Sequence, residues 1–294
     1  MTLHRYFGSH AFETLKEAKL KTSRISSFND PFEFLYVSHF ERMTPELARQ
    51  CIRSQRNNPA FLLNLVALNQ QLSNPLTEKE INRRLDDDEP SAVARLVEKW
   101  PEIAKESELT IVRQRQIIDR ELRAVCFSDP SRVKPLDEIL LWSHYARKHE
   151  GIRIGFEFPE GIKEPFEIME MAYQKDRIVV NLSFWADIEL VRKGLEKSAK
   201  VKSEAWEYEH EFRLFTKICH CIPKKTTNAD PISTEEHFLN FNREWVKSVD
   251  FGVLCPESEI QRMVDLLKTD YPTVICRKAE FHKIEFALEY KKVR

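Results

Sequence analysis

At 294 residues, with 46 basic and 47 acidic side chains and a formal net charge of −1, the chain has no global electrostatic pull on nucleic acid or anionic lipid. Hydrophobic residues at 42% and charged residues at 32% place it among globular proteins, and no apolar run is long enough to cross a bilayer as a helix. The length accommodates a buried core in one domain, and the opening MTLHRYFGSHAFETL lacks the features of a secretory signal, so a cytoplasmic location is expected.

In chain order, Leu3–Phe7 reads as a short strand. A helix follows over about Ser9–Lys19, where Phe12, Leu15 and Ala18 recur at helical spacing, and the chain then returns extended. Asp30-Pro31-Phe32-Glu33 fits an N-cap, a proline at the first helical position and a glutamate at the third, a sufficient structural reason for both acids. From about 44 to 120 the texture is helical, with breaks expected at Asn57-Asn58-Pro59, Asn74-Pro75, Asp88-Glu89-Pro90 and Trp100-Pro101. The acidic run Asp86–Glu89 reads as a solvated break between helices.

Leu122–Ser128 is expected as a buried strand, Asp137–His149 as a helix stopped by Gly151, and Ile152–Phe158 as an alternating strand. A strand near Met169–Tyr173 and helical material up to Lys202 come next. From Glu207 the run EYEHEFR alternates as a strand, which sets Glu209, Glu211 and Arg213 on one face. The tail reads as a strand near Val246–Leu254, a helix over Glu257–Lys268, a strand near Thr273–Ala279 and a short one at Ile284–Tyr290. Strands and helices mix without a regular βαβ rhythm. The fold class is therefore α+β, a mixed and largely antiparallel split sheet with flanking helices and a helical insertion in a single domain.

Six glycines, with neither GxGxxG nor GxxxxGK[ST], leave out the usual glycine-rich phosphate cradles. The six cysteines are scattered and read as free thiols. Cys219-His220-Cys221 reads as a strand with two buried cysteines, since alternation sends His220 to the opposite face. No metal ligand set is assigned. Glu209, Glu211 and Arg213 admit two readings: internal ion pairs that also take in Glu33 or Asp30, or a carboxylate that binds a sugar hydroxyl or acts as a base. Trp142 and Tyr145 share a helix face and offer flat rings. On the first strand His4 and Tyr6 face one way and Arg5 the other.

Taken together, HRYF, FNDPFE, CFS, LLWSHYARKHEGIRIGF and WEYEHEFR, in that order, resemble the bacterial family called domain of unknown function 2971. More distantly, the order of elements is similar to that of ADP-ribosyltransferases, which bind NAD in a cleft of a split antiparallel sheet without a glycine-rich loop. That resemblance implies NAD as substrate and a protein or nucleic-acid acceptor, or hydrolysis of NAD, in a toxin or phage-defence role. It also implies a late glutamate that supports an oxocarbenium-like transition state. Two mappings stay open. One gives the histidine, tyrosine and glutamate roles to His4, Tyr145 and Glu211; the other gives the arginine, serine and E-x-E roles to Arg5, Ser128 and Glu209-His210-Glu211. Arg5 stands where the first pattern has glycine, and Cys126-Phe127-Ser128 stands where the second has its serine-threonine-serine triplet. Tyr6, Asn29, Trp142 and Arg213 complete the expected nucleotide-binding set, with Phe28 and Phe32 as an aromatic wall. The alternatives are a metal-dependent nuclease or phosphodiesterase built on Asp30, Glu33, Glu209 and Glu211, and a non-catalytic nucleotide- or partner-binding module.

Overall fold

The computed structural model describes residues 1–33, 37–40, 42–56, 69–70, 75–159, 166–181, 188–225 and 235–293. Its strands are β1 (Thr2–Phe7), β2 (Lys19–Thr22), β3 (Val37–His39), β4 (Leu122–Ser128), β5 (Ile152–Glu157), β6 (Phe166–Glu170), β7 (Ala172–Gln174), β8 (Val179–Asn181), β9 (Val201–Ser203), β10 (Glu211–Lys217), β11 (Ile222–Lys225), β12 (Glu235–Asn240), β13 (Val246–Phe251), β14 (Ile275–Phe281) and β15 (Leu288–Lys292). The chain divides into two compact units.

The first unit comprises Met1–Leu35, Gln116–Arg177 and Glu196–Arg294. Its main sheet has eight strands in the order β15-β14-β13-β5-β1-β4-β10-β6. Neighbours are antiparallel except β13 and β14, whose parallel pairing requires the crossover helix Glu257–Asp270. The fold is α+β with a mixed, largely antiparallel open sheet, as the element pattern predicts.

Alternation along the central strands makes the two sheet faces chemically different. Leu3, Phe7, Ile152, Ile154, Phe156, Val249, Phe251 and Cys276 form one buried cluster with Leu15 of the helix Ala11–Glu17 and with Ile260, Met263, Val264 and Leu267 of Glu257–Asp270. The residues between them carry polar groups on the other face: His4 and Tyr6 on β1, Arg153 on β5, Asp250 on β13, Cys126 and Ser128 on β4, Glu211 and Arg213 on β10. β1 meets β4 at the single pair His4–Ser128, and beyond it the two strands part. Arg5 donates to the Cys126 carbonyl that this parting frees from the ladder, at 3.4 Å.

A polar network secures the outer half of that face. Arg153 donates to Asp250 through Nε at 3.0 Å and Nη2 at 2.8 Å, Arg277 donates to the same carboxylate, and Glu138 accepts from Arg153 and from the Tyr290 hydroxyl. Arg147, Lys148 and His149 have φ of 48°, 53° and 71°, costing about 1–2 kcal/mol each. His149 repays part of that cost by stacking on Trp142 and meeting the Ser143 hydroxyl at 3.0 Å. The expected helix Asp137–His149 therefore ends early, spanning Pro135–Tyr145.

The second unit comprises Tyr36–Arg115 and Ile178–Leu195. It contains the helices Pro45–Arg56 and Glu78–Asp87, most of Glu89–Glu121, and the parallel pair β3–β8. Met43, Ala48, Cys51, Val93, Leu96 and Trp100 form its core. The break expected at Trp100-Pro101 is absent: the helix continues through Pro101, because buried residues on both sides offset the one backbone hydrogen bond that proline removes. The acidic run is a helix junction with three of its four charges paired among the described residues, Asp86 to Arg56, Asp88 to Arg95, and Glu89 to Arg49, Arg53 and Arg56. The breaks expected at Asn57-Asn58-Pro59 and Asn74 lie outside the described residues.

Candidate functional site

The pairing registers align Gly155, His4, Ser128 and Glu211 in one row across β5, β1, β4 and β10. Directly paired residues project to the same face, so three separated sequence segments deliver a histidine, a serine and a glutamate side by side. Gly155 makes room for the row: a Cβ there would lie 2.4 Å from Ser248 Oγ and 3.3 Å from His4 Cδ2.

Above the Glu211 end of the row sits a buried ion cluster. Arg213 donates to Glu211 from Nε at 2.7 Å and from Nη2 at 2.9 Å, and its Nη2 lies 2.6 Å from Glu33 Oε2. Lys202 Nζ lies 2.6 Å from Glu209 Oε2, 3.0 Å from Glu211 Oε2 and 3.5 Å from Glu33 Oε1. Tyr145 donates its hydroxyl to Glu209 Oε1 at 2.5 Å, and the Tyr173 hydroxyl accepts the Glu211 backbone N–H at 2.7 Å. Phe28 lies against the Arg213 guanidinium and Trp206 against the Lys202 ammonium. All five charged side chains are at most 6% exposed.

These surroundings divide the protonation preferences. Burial alone would raise Glu211, but Arg213 and Lys202 outweigh it and hold the carboxylate at about 2. For Glu209 and Glu33 burial outweighs the neighbouring cations, Lys202 for Glu209 and Arg213 with Lys202 for Glu33, and the pKa shifts upward, leaving both weaker acids. Burial would lower Lys202, yet Glu211, Glu209 and Glu33 raise it. Burial, reinforced by Arg153, lowers His4 to about 3 and keeps its ring neutral near pH 7. Burial raises the Cys126 thiol, the nearby Glu211 carboxylate adds to the effect, and the thiol is no nucleophile.

The cluster and the row border a cavity of about 270 Å³. Of the residues singled out in the sequence, His4, Arg5, Tyr6, Phe28, Asn29, Ser128, Tyr145, Glu209, Glu211 and Arg213 line it. Trp142 does not: it is fully buried, edge-on to Tyr6, and donates its Nε1–H to the Tyr290 hydroxyl at 3.0 Å. Phe32 is 61% exposed and does not line the cavity either.

Three local expectations are corrected. Glu209 is not on a strand: Glu204–Glu209 is a 3-10 turn, His210 is left-handed at φ 42°, and β10 starts at Glu211. Instead of capping a helix N-terminus, Glu33 enters the ion cluster, while Asp30 Oδ1 accepts the Phe32 N–H in a turn. Cys219 is exposed in a 3-10 turn and not buried in a strand.

Lys202 and Trp206 were not identifiable as site residues. Lys202 lies on β9, in register with Tyr173 of β7, at a position where the sequence continues a helix. That helix ends at Ala199. Among the described residues no group of three or more His, Cys, Asp or Glu is placed to hold a metal ion, and the carboxylates of the cluster already face Lys202 and Arg213. No helix among the described residues is long and apolar enough to cross a membrane.

No curated protein and no solved structure matches the chain. A family model, Protein of unknown function (DUF2971), matches residues 141–214, a segment that carries Tyr145, Lys202, Glu209, Glu211 and Arg213. Across those residues the chain resembles that family, and the resemblance falls on the elements that build the ion cluster.

Proposed function

We propose that the chain is an NAD-utilising, ADP-ribosyltransferase-like enzyme. The observation that carries this reading is the row His4–Ser128–Glu211, contributed by three adjacent strands and bordering a cavity beside a carboxylate held in its charged form. The cavity volume of about 270 Å³ suits the nicotinamide and its ribose, with the adenylate half reaching outward, since pockets for whole ligands run to about 300–1,000 Å³.

In the reaction the bond between ribose C1 and the nicotinamide nitrogen breaks, and its electron pair neutralises the departing ring. The positive charge left on the ribosyl group is stabilised by Glu211, which accepts a ribose hydroxyl and needs no protonation change to act. An acceptor nucleophile or water then bonds to C1, and its proton passes to Glu209, whose raised pKa suits a general base. Tyr145 fixes Glu209 and presents its ring to the nicotinamide. Neutral His4 and Ser128 supply hydrogen bonds along the ribose. Arg5, which spans the gap between β1 and β4, has less freedom to take the arginine role than His4 has to take the histidine role.

The test uses NAD labelled in its adenylate part, incubated with the protein and cell extract. Label on macromolecules identifies a transferase, free labelled ADP-ribose identifies a glycohydrolase, and chelators change neither. Activity that requires a divalent cation would favour the nuclease reading. Nucleotide binding without turnover would favour the binding module.

A further inference from the structure

Among the described residues, two buried polar atoms in the cavity wall have neither a hydrogen bond nor an ion pair. Asp30 is 6% exposed; its Oδ1 accepts the Phe32 N–H at 2.9 Å, while Oδ2 has neither a hydrogen bond nor an ion pair among the described residues. Arg5 uses Nη1 and Nη2 on the Cys126 and Lys21 carbonyls at 3.4 Å each, and its Nε is likewise without a partner. Both residues line the cavity. An orphaned buried group is left with its desolvation cost uncompensated, and such exceptions are rare enough to call for an explanation. The other carboxylates of the wall, Glu33, Glu209 and Glu211, all have cationic neighbours. Among the described residues, Asp30 alone of these carboxylates is left over.

We infer that Asp30 is a specificity-determining residue whose free carboxylate oxygen accepts an N–H from a primary carboxamide on the ligand, while Arg5 Nε donates to the carboxamide oxygen. This rests on the NAD reading above and deepens it by naming the part of the substrate that is recognised. One vacant acceptor and one vacant donor complement a group offering one N–H and one C=O. A carboxylic acid of the same shape offers two acceptors. It satisfies Arg5 but sets a carboxylate against Asp30, so the cavity selects a ring amide over the corresponding ring acid. No step of bond making is assigned to either residue.

The experiment compares nicotinamide with nicotinic acid for binding, and NAD with its nicotinic-acid counterpart for turnover, in the wild type and in Asp30→Asn. The wild type is expected to prefer the amide in both by at least about tenfold, as sites built around a specific hydrogen bond do. In Asp30→Asn, which offers a donor as well as an acceptor, the preference falls to within about threefold. Thermal unfolding of the variant confirms its fold. The wild-type preference needs no variant, so the inference stays testable even if Asp30→Asn does not fold. Equal use of amide and acid by the wild type, with NAD turned over, overturns the Asp30 assignment alone, as does undiminished preference in folded Asp30→Asn. Binding of neither ring compound together with no NAD turnover overturns both the assignment and the NAD reading.

Discussion

Lys202 Nζ stands 2.6 Å from Glu209 Oε2, a contact between a short strand and a 3-10 turn that draws two further glutamates around the same ammonium. Glu209, Glu211 and Glu33 carry three carboxyl groups into a buried space where, among the described residues, Lys202 and Arg213 are the cations that face them closely. In a low-dielectric site that pairing decides which carboxylates stay charged. Glu211, touched by both cations, is the most acidic; Glu209 and Glu33, with burial dominant, are weaker acids.

Removing the shared cation should therefore be costly. Lys202→Met is expected to destabilise the protein by about 3–5 kcal/mol, the range for stripping one partner from a buried ion group. Urea unfolding at pH 7 checks this, and adding Glu209→Gln to the variant should recover part of the loss by removing one stranded charge. A loss below about 1 kcal/mol, typical of exposed pairs, would mean that water reaches the cluster.

Acid should unfold the protein in two overlapping stages. His4 takes up its proton near 6.5 when unfolded but near 3 when folded, so the unfolded state binds more protons between those values and stability falls as pH drops through them. Glu211 protonates near 4.5 when unfolded and near 2 when folded. Its contribution is complete above about 4.5 and is lost as pH falls toward 2. Urea midpoints measured from pH 7 to 3 should show a shallower decline in His4→Gln between pH 6.5 and 4, and in Glu211→Gln below pH 4.5. Slopes identical to wild type would contradict the burial of these groups.

Trp142 belongs to the scaffold. Its Nε1–H is satisfied by the Tyr290 hydroxyl, which in turn donates a hydrogen bond to Glu138 at 2.7 Å. Tyr290→Phe strands both groups and is expected to cost about 1–3 kcal/mol, read by urea unfolding, while nicotinamide release stays within about threefold of wild type once the protein is folded. A large loss of turnover at unchanged stability would move Trp142 and its partners into the site.

Much of the scaffold was legible because a short apolar run closed by a turn signal, as in Leu122–Ser128, or period-2 alternation, as in Ile152–Glu157, leaves few alternatives. Pairing was not: His4, Ser128 and Glu211 lie far apart in sequence, and nothing local specifies that β4 falls between β1 and β10. Glu209 was misplaced because EYEHEFR alternates across a boundary that only the left-handed His210 marks. Lys202 escaped notice because one lysine in a stretch rich in lysines has no pattern. Its role arises from β9 pairing with β7, a contact of three residues on each side. Glu33 carried a valid capping signature, and tertiary ion pairing overrode it.

The most direct test of the account is nicotinamide release from NAD by wild type and Glu211→Gln at pH 7, with equal thermal midpoints confirming that both are folded. The account predicts release by the wild type and a fall of at least about 100-fold in the variant, the scale of losing one electrostatic stabiliser of a transition state. Release undiminished in folded Glu211→Gln would remove Glu211 from the chemistry, and no release by the wild type with extract present would contradict the NAD reading itself.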